Sequence, residues 1–498
     1  MQKKLPIFYS ALMLTGVNLL LRLVSTSFQV YLSGQIGAAG IGLLQLVLSV
    51  GGLSMTAAIA GVRTATMYLT AEEIGKGRPG CVKWVLSGCF RYSILCSCTV
   101  GSLLYTFAPF LAKNWIGSAD TVGAIRLVAG FLPVNCLCGV MVGYFTAANH
   151  IGSLAIIEIG EQAISMGTTM LLLTLWAGSQ ASKACEAVVL GGGISACFTL
   201  ICLVFLRLRE HPPKQSKIPV AKRLFNIALP LALGDDLKAG ISTTENLMVP
   251  KRLALYPHTA NPLAAFGVVC GMVFPVLMFP AAILFGLIEL LIPELARCSA
   301  AGSQIRVRYL VKQGLRTALI YSCLFAGLMF LLAEPVCIAL YDNREAGILL
   351  KKFSFLIPML YCDAITDASI KGLGEQKVCV QYNILTSAMD VIFLYLLLPK
   401  YGMSGYFFSF LITHLINFIL SLRRLIKIVG KCISPRIPLF SILATGLAIV
   451  GAGLIPSHAG QVVVFLTLLG SLLVLFQVIG KEDLFWLKGL IYNKKQPV

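Results

Sequence analysis

The chain has 498 residues, of which 57% are hydrophobic and 12% charged, with a mean hydropathy of +0.86. A soluble protein of this size carries about twice that charged fraction, so the composition excludes a soluble globular enzyme and points to an all-α, polytopic membrane protein. A formal net charge of +19 suggests nucleic acid at first sight, but the placement of the basic residues gives it another meaning.

Apolar runs of the length that crosses a bilayer core predict about fourteen transmembrane helices. They lie near 7–32, 41–69, 84–111, 121–147, 151–177, 185–207, 224–250, 263–293, 310–333, 347–370, 378–398, 403–422, 438–455 and 461–479. The first follows Lys3 and Lys4 and runs to about Leu32. That is too long for a signal-peptide core, so it is expected to remain as an uncleaved span. With both termini on the cytoplasmic side, roughly three-quarters of the lysines and arginines outside the spans fall on that side, which is the positive-inside pattern. The net charge is therefore a topology signal with some attraction for anionic lipid, not a nucleic-acid footprint. The 16 Cys sit mostly singly in apolar runs, without a CxxC pair near a His, so they read as packing residues and no zinc or redox site is indicated.

The polar stretch RLREHPPKQSKIPVAKR (207–223) separates two halves of six spans each. The expected organisation is an N-terminal lobe (1–208), a cytoplasmic linker (209–223), a C-terminal lobe (224–430), and two further spans with a cytoplasmic tail (431–498). Each half opens with a polar-bearing span followed by a span rich in small residues. This is the plan of a transporter built from repeats, with its site near the midplane.

The seventh span is the most informative. LFNIALPLALGDDLKAGISTTENLMVPKR (224–252) carries Asp235, Asp236, Lys238 and Glu245 within an apolar run. Each such charge costs about 2.5–3.5 kcal/mol at a helix centre, tolerable when the charges face one another or a watered cavity. Asp235, Lys238, Ser242, Glu245, Val249 and Arg252 recur every three or four residues and share one helix face. The pattern predicts a pathway-lining helix; the alternative is a buried Asp235–Lys238 ion pair that only joins helices. Glu158 and Glu161 form a second pair on one face, read equally as a cation site or as a hydrogen-bonded pair. His414, alone on an apolar helix, reads as a core residue.

The order and spacing of several motifs carry a family resemblance across nearly the whole chain. They are Arg22 with the turn GQIGAAGIGLLQL (34–46), AEEIGKGR (71–78), RLVAGFLPVNCLCGVMVGYFTAAN (126–149), IALPLALGDDLKAGISTTENLMVPKRL (227–253), FPAAILFGLIELLIPELA (279–296) and SFLIPMLYCDAITDASIKGLGEQK (354–377). The chain resembles the polysaccharide-transport branch of the multidrug/oligosaccharidyl-lipid/polysaccharide flippase superfamily. Within it, the nearest resemblance is to members that act in sporulation and, more distantly, to those that flip lipid II.

The resemblance implies a V-shaped, two-lobed fold that alternates between inward- and outward-open states, in the cell membrane. It implies a substrate of undecaprenyl (pyro)phosphate-linked sugar, moved outward in cell-wall or spore-cortex biogenesis. The substrate-binding candidates are Arg22, Arg63, Lys238, Glu245, Lys251 and Arg252, since a pyrophosphate crossing a low-dielectric core needs fixed cations; for Arg63, snorkelling to the interface is the competing reading. Some members of the superfamily couple transport to sodium, which here would draw on Asp235, Asp236, Asn383 and Asp390. Two departures stand out: Glu245 replaces the Asp common before the outer basic pair, and Ser387 occupies the place of an expected second-lobe carboxylate. No cofactor and no metal is expected beyond a Na+ or H+ gradient or the membrane potential. Membrane lipids and peptidoglycan synthases are the expected partners, and no nucleic acid. The sequence lacks a GxxxxGK[ST] loop and long outward loops with catalytic clusters, so no enzyme activity is expected. The alternative reading is a cation-coupled multidrug antiporter of the same fold.

Overall fold

The computed structural model describes residues 7–59, 61–178, 180–209, 219–430 and 434–479. Most of the predicted linker and of the tail thus lies outside the described residues. Within them are sixteen α-helices and no strand. In chain order these are α1 (Ile7–Ile59), α2 (Val62–Gly75), α3 (Val82–Phe110), α4 (Val122–Ala147), α5 (Ile151–Leu172), α6 (Ala181–Leu208), α7 (Ala221–Leu253) and α8 (Pro262–Val268). There follow α9 (Phe274–Met278), α10 (Ala281–Ala300), α11 (Gln304–Tyr341), α12 (Arg344–Phe353), α13 (Ile357–Gly372), α14 (Gln376–Val429), α15 (Arg436–Gly453) and α16 (His458–Leu475).

Helix boundaries follow glycine, proline and capping side chains. α1 would run about 80 Å if straight, far more than a bilayer core, but Gly37 at φ 68 and ψ 177 breaks it. Gly402 at φ 56 and ψ −136 does the same for α14. The spans predicted apart on either side of each glycine are therefore joined end to end through a kink. The predicted span 41–69 is in turn split at Gly61, whose φ of 70 precedes α2. Asn149, also at positive φ, turns the chain between α4 and α5, in the gap between the predicted spans 121–147 and 151–177. Asn261 and Asn343 cap α8 and α12 by accepting from Ala264 N and Ala346 N at 3.0 and 2.9 Å.

Among the described residues, eight helical stretches are long and apolar enough to cross a membrane, or nine when a bent pair is taken as one. Two of the eight, Leu19–Gly75 and Gln376–Val429, have 57 and 54 residues, the length of two crossings each. The criterion is thus met by fewer stretches than the fourteen predicted spans, partly through this merging.

The chain forms two compact units. One comprises Leu20–Gly271 with Ser387–Tyr406. Its core joins Val62, Ala65 and Leu69 of α2 to Val85, Leu86 and Cys89 of α3, Val140, Met141 and Phe145 of α4, and Leu224 and Ala228 of α7. The sequence groups α7 with the second half, yet these contacts seat it among the helices of the first. α1 and α8 cross so closely that a Cβ on Gly267 would fall 2.0 Å from the Ala38 carbonyl oxygen, a contact that only glycine permits.

The second unit holds Met272–Thr386 and the chain from Phe407 onward, with the start of α1. Here α15 presents Ala444, Ala448 and Ala452, four apart and fully buried, to Phe465, Leu469 and Leu473 of α16. Phe465 sits where a side chain on Gly327 of α11 would be. The two C-terminal helices are thereby packed into this unit by small-residue contacts.

Candidate functional site

α7 is held in one rotation by contacts along its length. At its start, Arg223 donates to Glu73 at 3.0 Å and to Glu72 at 2.6 Å, both on α2. In its middle, Thr243 Oγ1 donates to the Ser49 carbonyl at 3.1 Å and Asn246 Nδ2 to Ser49 Oγ at 3.0 Å. At its end, Lys251 donates to the Asn114 carbonyl, while Arg252 donates to the Tyr395 carbonyl at 3.1 and 3.3 Å and lies 3.3 Å over the Tyr395 ring. The helix therefore presents a defined face.

That face opens onto a cavity of about 450 Å3, lined by Asp235, Lys238, Ala239 and Ser242 of α7 and by Met55, Thr56, Ile59 and Gly61 at the α1–α2 junction. Asp235, Lys238 and Ser242 are exposed. No ion pair joins Asp235 to Lys238 among the described residues, and both line the cavity. Arg63 is exposed on the first turn of α2, two residues beyond Gly61, and pairs with no described side chain.

The predicted stripe is continuous in sequence but not in environment. Beyond Ser242 it is covered. The Glu245 carboxyl lies close to that of Asp390 of α14, and Asp390 is 6% exposed. Val249 is buried, and Arg252 and Lys251 are engaged with backbone carbonyls as described. Glu245, Lys251 and Arg252 thus bear on neighbouring helices here and do not join Lys238 in the cavity. Arg22 is half-buried on α1, where its carbonyl accepts from Thr26 Oγ1 at 2.9 Å.

The four candidates for ion coupling are likewise dispersed. Asp235 faces the cavity, whereas Asp236 is half-buried and one of its oxygens has no hydrogen-bond partner. About ten residues further along α7, some 15 Å by helical rise, Glu245 meets Asp390. Asn383 belongs to the other unit, where its amide donates to Asp367 at 3.2 Å. That unit contains a polar ladder which the sequence reading passed over: Asn417 donates to Asp363 at 2.9 Å and Ser421 to Asp367 at 3.0 Å. The signal was present, since Asp363 and Asp367 are four apart on α13 and Asn417 and Ser421 four apart on α14, the spacing of two facing stripes. Ser49, Thr243 and Asn246, which orient α7, were missed because short polar residues in apolar helices are common and carry no distinctive spacing. Of the second-rank candidates, Glu161 accepts from Thr199 Oγ1 at 2.8 Å across α5 and α6, and His414 packs against Phe410 with centroids 4.0 Å apart and the rings tilted by 44°.

No family model matches the chain. It is 20% identical over 407 residues to stage V sporulation protein B of Bacillus subtilis (strain 168), covering 79% of this chain and 78% of that protein. Among solved structures it is similar to the lipid II flippase MurJ in its inward closed conformation, with a TM-score of 0.69 at 13% identity, covering 95% of this chain and all of that one. An inward-facing multidrug resistance MATE family transporter of the MOP superfamily matches with a TM-score of 0.64 at 13% identity, over 84% of this chain and all of that one. The fold is therefore that of the MATE and lipid II flippase structures, and the resemblance read from the motifs points the same way. These solved structures are of transporters and a flippase, and the chain is a multi-pass membrane protein with their fold.

Proposed function

We propose that the protein is a flippase that moves an undecaprenyl (pyro)phosphate-linked peptidoglycan precursor or polysaccharide unit outward by alternating access. The observation that carries this reading is the α7 cavity, where Lys238 and Asp235, unpaired among the described residues, lie opposite the α1–α2 junction. A charged groove beside apolar helix walls suits a lipid whose head must cross while its tail stays in the bilayer. The similarity to a sporulation protein supports a role in spore or cell-wall assembly, with both termini in the cytoplasm and a Na+ or H+ gradient or the membrane potential as driving force. The flipped lipid-linked precursor would pass to peptidoglycan synthases, the partners of this reading.

The test is reconstitution into liposomes with a fluorescent undecaprenyl-pyrophosphate sugar, following access of an external quencher to the inner-leaflet pool. Translocation that depends on the protein and is lost in Lys238→Ala or Arg22→Ala supports the flippase. The second reading is a cation-coupled multidrug antiporter, favoured by the acid content of α7, with Asp235, Asp236 and Glu245 against Lys238 inside the span. Movement of a cationic dye, lost in Asp235→Asn, with no movement of the lipid, would establish it instead.

A further inference from the structure

A second pocket, of about 350 Å3, opens where the start of α3 meets the end of α6, away from the α7 cavity. Two stripes of α3 line it. Lys83, Ser87 and Arg91 recur every four residues, and beside them run Leu86, Phe90 and Ile94 with the same spacing. Arg207, in the last turn of α6, closes the other side, its guanidinium 4.8 Å over the Tyr144 ring. Three cations from two helices thus converge on one pocket, and no acidic residue lines it.

Lys83 and Arg91 are exposed and form no hydrogen bond or ion pair with any described residue. Solvated side chains on a helix edge ordinarily spread apart to lower their mutual repulsion. Helical side chains also lean toward the N-terminus, so Arg91 reaches back along α3 toward Lys83 and Arg207. Further along α3 the wall turns apolar at Ile94, which is 46% exposed, and the adjoining surface continues with Leu95, 69% exposed, as befits a surface that meets acyl chains. Basic pockets between membrane helices at one bilayer face are suited to lipid phosphate.

We propose that this pocket binds the headgroup of a resident anionic phospholipid. The phosphate lies among Lys83, Arg91 and Arg207, with the Ser87 hydroxyl as a further donor. The first acyl carbons follow Leu86, Phe90 and Ile94. The site is distinct from the transport cavity and does not depend on the nature of the transported substrate.

The experiment is native mass spectrometry of the purified full-length protein, titrated with phosphatidylglycerol or with phosphatidylcholine of the same acyl chains. Phosphatidylglycerol should bind more tightly. Lys83→Gln and Arg91→Gln should each weaken it about fivefold, the equivalent of about 1 kcal/mol for one cation near the surface. Lys222→Gln, an exposed cation outside the pocket, should leave binding unchanged. Inorganic phosphate at millimolar concentration should not displace the lipid. Equal binding of both lipids, or an unchanged affinity in the Lys83/Arg91 double variant, overturns the proposal. Displacement by inorganic phosphate overturns the lipid assignment in favour of a soluble phosphate site. Arg91→Lys keeps the charge and should keep the preference, so a folding defect in Arg91→Gln is told apart from a lost contact.

Discussion

Removing Arg223 should destabilise the anchor of α7 in a way that simple loss of a surface charge does not. The Glu73 side chain is 0% exposed, and its two oxygens are divided between Arg223 at 3.0 Å and Arg78 at 3.1 Å. Glu72, 29% exposed, takes the second Arg223 nitrogen. Arg223→Met leaves Glu73 buried with half of its neutralisation gone. Removing one partner of a buried pair costs about 3–5 kcal/mol. Arg78 remains on the second oxygen and Arg223 itself is 34% exposed, so the expected cost is about 2–3 kcal/mol. Glu73→Gln should cost less, about 1 kcal/mol, because the two arginines it abandons still reach water. The double variant should recover part of the Arg223→Met loss, since it no longer buries an unpaired charge. The assay is thermal denaturation of the detergent-solubilised protein followed by fluorescence-detected size exclusion. Unfolding of such a chain is not two-state, so the order of Tm values is what is read. Arg223→Met should lie lowest, Glu73→Gln and the double variant above it, and Lys222→Met at the parent value. If Arg223→Met melts with Lys222→Met, or the double variant equals the sum of the singles, the buried-charge account is wrong.

Gly402→Ala should lower Tm, since φ of 56 disfavours a side chain and the new Cβ would lie 2.7 Å from the Tyr256 ring; a cost of about 1–3 kcal/mol is expected, and an unchanged melt would show that the kink is not required. Phe465→Ala empties a site that is 0% exposed between α16 and α11 and should cost about 3–5 kcal/mol, read by the same assay. Arg252→Lys keeps the charge but loses the fork on the Tyr395 carbonyl and the stacking over its ring. It should lower Tm while sparing transport; transport lost at unchanged Tm would make Arg252 a substrate contact after all.

The helical layout was legible because it rests on a one-dimensional signal, the length of apolar runs. The turn at Asn149 was legible for the same reason, lying between two predicted spans. The kinks were not, because a glycine at positive φ between two apolar runs reads as a loop, and only the backbone shows that the helix resumes directly. The α7 stripe was legible as a face, through its period. What covers that face was not: Glu245 and Ser242 are three apart and equivalent by spacing, yet one meets Asp390 from a stretch about 145 residues away and the other meets open space. Likewise the Lys251–Arg252 pair is a phosphate contact by the family resemblance. Its engagement with the carbonyls of Asn114 and Tyr395 depends on which distant segments pass beside it, which no local pattern encodes.

The choice between an anionic and a cationic substrate turns on charges outside α7. In the open half of the stripe, Asp235 and Lys238 cancel, so α7 by itself offers neither a cationic nor an anionic cavity. The covered half offers nothing further, with Glu245 against Asp390 and Arg252 on Tyr395. The balance is then set from the α1–α2 side, where Arg63 is exposed two residues beyond the cavity-lining Gly61 and pairs with no described side chain. A charge-assisted contact to phosphate is worth about 1.5–3 kcal/mol, so Arg63→Ala should slow lipid translocation tenfold or more. For a cationic drug the same change removes a repulsive charge and should leave transport equal or faster. The two readings thus predict opposite signs for one substitution. Parallel liposome assays of the lipid and of a cationic dye decide between them, and an Arg63→Ala protein unchanged toward both would place the deciding charge elsewhere, with Arg22 next in line.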